Sequence, residues 1–135
     1  MIKRLDHIAI FVKDLDEAVK FFQDKYGLTC SSRETVGDEA NIAFFPIGDT
    51  QLELVQPISP DGMVAKHIKE KGEGVNHIAF EVEDVKSALE KAKSEGIISI
   101  NDEPRQGAHN AMIAFLDPKS NYGITIELVE HQSHE

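Results

Sequence analysis

The chain has 135 residues, of which 41% are hydrophobic and 28% charged, enough to build one packed core and far from the composition of disordered segments. A formal net charge of −10 disfavours nucleic acid and anionic membrane surfaces as partners, because both require clustered Lys and Arg. No apolar run suits a membrane span or a secretory leader, and the single cysteine, Cys30, excludes an internal disulfide framework, so a cytoplasmic setting is expected.

Residues 3 to 13 alternate in character, with Leu5, His7, Ala9 and Phe11 on one face and Asp6, Ile8, Ile10 and Val12 on the other, which predicts a strand. Asp14 with Glu17 three residues on predicts a helix N-terminus, and Leu15, Ala18, Val19, Phe22 and Tyr26 continue at helical spacing to Gly27. Strands are then expected at about 28–36, 40–47 and 50–57, separated by the turn signals Gly37-Asp38 and Gly48-Asp49. The turn Ser59-Pro60-Asp61-Gly62 leads into a short polar helix that ends at Gly72.

The order then restarts: a strand at 75–82, a helix at 84–95 stopping at Gly96, and strands near 97–101, 111–116 and 123–130. Val75-Asn76-His77-Ile78-Ala79-Phe80 echoes Leu5-Asp6-His7-Ile8-Ala9-Ile10, and Thr125-Ile126-Glu127-Leu128-Val129 echoes Gln51-Leu52-Glu53-Leu54-Val55. The chain is therefore read as one α+β domain over 1–135. Its two tandem βαβββ modules, at 1–58 and 75–131, are joined by a linker helix at 59–74, and a curled mixed sheet is expected to surround a cup.

A period of two decides which side chains share that cup. Ile8, Ile10 and Val12, like Ile78, Phe80 and Val82, form an apolar face suited to packing under a helix, so His7 and His77 point the other way. Leu52 and Leu54, and Ile126 and Leu128, do the same in each last strand, which turns Glu53 and Glu127 toward the histidines. Two imidazoles and two carboxylates on rigid strands suit one divalent ion, Co, Ni, Mn or Fe, with Zn also compatible, and leave two positions open. Gln51 shares the parity of Glu53 and is the alternative fourth ligand. His67 in the linker helix, and His131 and His134 in the tail, read as surface residues, while His109 lies in a turn-rich loop that could line a site mouth.

The paired His-Ile-Ala runs, the two Glu-Leu-Val endings and the duplicated order resemble the vicinal oxygen chelate superfamily, which includes glyoxalase I. Within it, the stretches from Asp102 to His109, Ile113 to Ser120 and Gly123 to Leu128 are similar to the methylmalonyl-CoA epimerase family. The resemblance implies a metal, cobalt favoured, held by His7, Glu53, His77 and Glu127, with an acyl-CoA thioester as substrate. It also implies epimerisation at the α-carbon through a metal-stabilised enolate, Glu127 as the base, and a homodimer. Some of these epimerases carry a second glutamate on the strand matching 40–45; here that strand holds no acid. Glu39, Glu53 or a water on the metal are the alternatives for the second proton transfer. A glyoxalase I-like hemithioacetal isomerase and a metal-free small-molecule-binding protein are the competing readings of the same fold.

Overall fold

Asp14 and Asp84 start two helices in the same way. Each sits in extended backbone, and its carboxylate accepts from free N–H groups of the first turn: Glu17 N–H at 3.0 Å from Asp14, and Lys86 and Ser87 N–H at 3.1 and 3.3 Å from Asp84. A computed structural model describes residues 1–132; His134 lies outside the described residues. In chain order the elements are β1 (Ile2–Phe11), α1 (Leu15–Tyr26), β2 (Ser32–Val36), β3 (Ala40–Ile47), β4 (Thr50–Pro57), α2 (Met63–Lys71), β5 (Gly74–Val82), α3 (Val85–Ser94), β6 (Arg105–Gln106), β7 (Met112–Leu116) and β8 (Thr125–Glu130). Among the described residues no helix is long and apolar enough to cross a membrane.

The chain divides into two compact units, Ile8–Asn76 and Met1–His7 with His77–Glu135, so β1 contributes residues to both. In the first unit the strand order is β2-β3-β4-β1, and β2, β3 and β4 pair antiparallel. Leu15, Val19, Ala43, Phe45 and Leu54 bury one face of this unit's sheet under α1. Gly27 closes α1 in the left-handed conformation, φ 68°, with its N–H on Gln23 O.

In the second unit the order is β1-β5-β8-β7-β6. β5 and β8 run parallel, and β7 pairs antiparallel with both β8 and β6. Val85, Ala88, Leu89 and Ala92 of α3 pack on Ala114, Leu116 and Leu128. Each fully buried Leu or Val contributes about 1.5–3 kcal/mol of apolar burial.

One expected element is absent. The strand near 97–101 reduces to a single bridge, Ser99 with Leu116, and the paired strand is instead β6, inside what reads as a turn-rich loop. Backbone bonds from Asp117 to Ile98 O and from Ile100 to Phe115 O start a ladder along β7, but Asn101 then accepts the Phe115 N–H at 2.7 Å with its side chain. Pro104, which has no N–H to offer, lies between that point and β6.

Candidate metal centre

Strand register carries four side chains to one face of the second unit. Glu127 on β8 is opposite Ala79 on β5 and Phe115 on β7, and His77 lies two residues before Ala79. The next pair, Phe80 with Leu128, looks to the other face, where Leu128 packs under α3. Among the described residues the buried polar or charged side chains are Asp6, His7, Glu53, His77 and Glu127: all four predicted ligands and one further acid.

His7 Nε2 is 3.1 Å from Glu127 Oε1, His77 Nε2 is 2.8 Å from the same oxygen, and the two Nε2 atoms are 3.4 Å apart. The imidazoles meet edge to face, and His77 also meets the Phe115 ring edge to face, ring centroids 5.3 Å apart. Burial would raise the pKa of Glu127, but the His7 and His77 rings that bond it more than offset this and hold it down to about 2, so the carboxylate is ionised.

The nearby acid that parity reasoning does not select is Asp6. Its Oδ2 lies 2.7 Å from His7 Nδ1, and its Oδ1 takes His131 Nε2 at 2.6 Å and an Arg4 NH2 donor at 2.9 Å. Arg4 Nε continues to Glu81 Oε1 at 2.6 Å. Burial acts to raise the Asp6 pKa; the hydrogen bonds from His131 and His7 outweigh it and hold the carboxyl well below the usual range. His131 is thus held in the network, contrary to its reading as a frayed tail residue, and its own pKa is raised by Asp6. An acid beside a suspected ligand histidine is the sequence signal for such a partner.

This donor set fits a metal. With Asp6 accepting at Nδ1, His7 carries a proton there, which leaves Nε2, 3.1 Å from the Glu127 oxygen, as the ring atom able to ligate a cation. Lone pairs of two imidazole nitrogens and a carboxylate oxygen, buried and within 3.4 Å of one another, repel unless a cation or proton lies among them. Nitrogen and oxygen donors of this kind suit first-row divalent ions.

Glu53 belongs to the other compact unit, where it is buried on β4 opposite Phe44. Gln51, on the same strand, is half-buried opposite Pro46. His67 is not a free surface residue: its ring meets Phe11 edge to face at 5.2 Å and its Nδ1 contacts Asn76 Nδ2 at 3.3 Å. His109 is exposed, with a left-handed φ of 56°. Arg105 is half-buried with its guanidinium 5.9 Å from the Phe115 ring centre, and Arg33 is tied to Asp16 at 2.6 Å on the surface.

Residues 6–115 match the family model described as Glyoxalase/Bleomycin resistance protein/Dioxygenase superfamily. An uncharacterised protein of Bacillus subtilis is 36% identical, over 98% of this chain and 99% of its own length. An ethylmalonyl-CoA/methylmalonyl-CoA epimerase of Cereibacter sphaeroides is 32% identical, over 95% of this chain and 98% of that one. A solved structure of a Streptomyces coelicolor methylmalonyl-CoA epimerase variant in complex with 2-nitronate-propionyl-CoA superposes with a TM-score of 0.93 at 33% identity, covering 98% of this chain and all of that one. By strand order, by the spacing of its paired histidines and glutamates, and by these matches along nearly its whole length, the chain belongs to the glyoxalase/bleomycin resistance protein/dioxygenase superfamily.

Proposed function

We propose that this chain epimerises a 2-substituted malonyl-CoA thioester, methylmalonyl-CoA in the first instance. One divalent ion, cobalt favoured, is held by His7, Glu53, His77 and Glu127. The observation that carries this reading is the convergence of His7, His77 and Glu127, in a chain whose near-full-length relatives include named epimerases. Glu53, a buried carboxylate at the equivalent position of the other repeat, completes the set.

The ion, when bound, supplies Lewis acidity that polarises the thioester carbonyl and acidifies the adjacent C–H. The protein's part is geometric and electrostatic. His7 and His77 present ring nitrogens from the rigid strands β1 and β5, and Ala79, Ile113, Val129 and Phe115 pack together as an apolar cluster. Such surroundings strengthen electrostatic interactions at the centre. Glu127 is the candidate base: its carboxylate is ionised across the working pH range, and it needs only to take up and return a proton from an acidified carbon. Its low pKa favours the ligand role more than the base role. For the opposite proton transfer, Glu39 is exposed and Glu53 buried, which favours Glu53. A cytoplasmic setting and a homodimer accompany this reading.

The test is NMR of methylmalonyl-CoA in deuterated water with catalytic cobalt-loaded protein, following the α-proton signal. Metal-dependent exchange is the expected outcome; absence of exchange with fully metallated protein sinks the proposal. Glu127→Gln is expected to lose metal and to slow exchange on the order of a thousandfold. Exchange that survives in this variant would remove Glu127 as the base.

A further inference from the structure

We propose that Asp6 is the positioning residue of the centre. It fixes His7 as the Nδ1–H tautomer so that Nε2 remains the ligating atom, and His131 acts as a latch that fixes Asp6. This rests on the metal-binding reading above.

The carboxylate of Asp6 is used on both oxygens. Oδ2 receives the His7 Nδ1–H at 2.7 Å, while Oδ1 is shared by His131 Nε2 at 2.6 Å and Arg4 NH2 at 2.9 Å. Asp6 is only 6% exposed and His7 only 5%, so neither has bulk water as a substitute partner. A buried carboxylate held from two directions cannot swing away, and the imidazole it accepts from can neither flip nor move its proton to Nε2 without losing a charge-assisted hydrogen bond. Without that acceptor, His7 is free to adopt the Nε2–H tautomer, whose proton would occupy the position from which the ring must donate its lone pair. At the equivalent position of the other repeat Asn76 precedes His77, and its side-chain amide contacts His67.

The experiment measures cobalt(II) dissociation constants by competition with a chromophoric chelator, for wild type, Asp6→Ala, Asp6→Asn, His131→Gln and Asn76→Ala. Asp6→Ala is expected to weaken binding about 10- to 100-fold, the usual effect of deleting a partner of a ligating histidine. Asp6→Asn, which retains an acceptor oxygen, should recover part of that loss, and Asn76→Ala should weaken binding less than Asp6→Ala does. In zinc-loaded wild type the His7 Nδ1 proton should give a slowly exchanging, downfield NMR resonance that is lost in Asp6→Ala and exchanges faster in His131→Gln. A merely structural role for Asp6 would lower the melting temperature of metal-free protein while leaving the dissociation constant of folded molecules unchanged, and that result overturns the proposal. If Asp6→Ala does not fold, Asp6→Asn and His131→Gln decide: wild-type affinity and an unaltered Nδ1 resonance in both also overturn it. Failure of wild type to bind cobalt would refute the parent reading, whereas wild-type binding matched by Asp6→Ala refutes this inference alone.

Discussion

In the first repeat the last strand sends Gln56 Oε1 to the Leu15 N–H at 2.6 Å; in the second, Glu130 Oε1 takes the Val85 N–H at 2.9 Å. The two helices are thus tied to the last strand of each repeat by side chains at matching positions, beneath matching aspartate caps. The histidines are supported differently. His7 has a carboxylate on its far nitrogen, while His77 contacts Glu127 and meets the Phe115 ring edge to face. Symmetry was retained where a helix must be anchored to a sheet, a requirement each repeat meets separately. It is broken beside the histidines, where Asp6 precedes one and Asn76 the other.

Deep in the two cores, Leu89 of α3 (2% exposed) packs onto Ala114, Leu116 and Leu128, and Leu54 of β4 (none) packs against α1. Replacing either with alanine should cost about 2–5 kcal/mol in denaturant unfolding, and a markedly smaller loss at one site would show which core collapses more readily around a cavity. Asp14→Ala and Asp84→Ala should each cost about 1 kcal/mol, and unequal losses would show that the repeated cap is equivalent in geometry but not in energy.

The smallest effect concerns the asymmetric network. The Asp6 hydrogen bond raises the His131 pKa above its ordinary 6.5, so this stabilisation is fully present below about pH 6.5 and disappears as pH rises through the folded value. The Asp6 pKa is lowered from 3.8, so its contribution is present above that value and is lost as pH falls toward the folded one. His131→Gln should therefore be less stable than wild type at about pH 5–6, with the gap closing in alkaline solution. A gap that widens with pH would contradict the pairing.

Most of this arrangement is written in local alternation. A period of two suffices to put His77 and Glu127 on one face, because β5 and β8 are regular and their other face is occupied by the apolar residues under α3. Asp6 escapes the same rule for a physical reason: neighbouring strand residues project to opposite faces, yet a ring nitrogen and a carboxylate oxygen at their ends come within 2.7 Å. His131 escapes it because its role depends on a residue 125 positions away rather than on any local pattern. The strand near 97–101 fails where the Asn101 side chain takes a backbone bond and Pro104 withholds one, a competition that hydrophobic periodicity does not register.

The division of β1 has a consequence for synthesis on the ribosome. The unit Ile8–Asn76 holds all its strands and both its helices once residue 76 has emerged, and its hairpin-linked strands can pair at once. Met1–His7, made first, belongs to the unit that is finished last, and His7 meets Glu127 only after 120 further residues. The nascent chain therefore carries a waiting strand segment through most of translation, and closure of that long loop sets a late step in maturation.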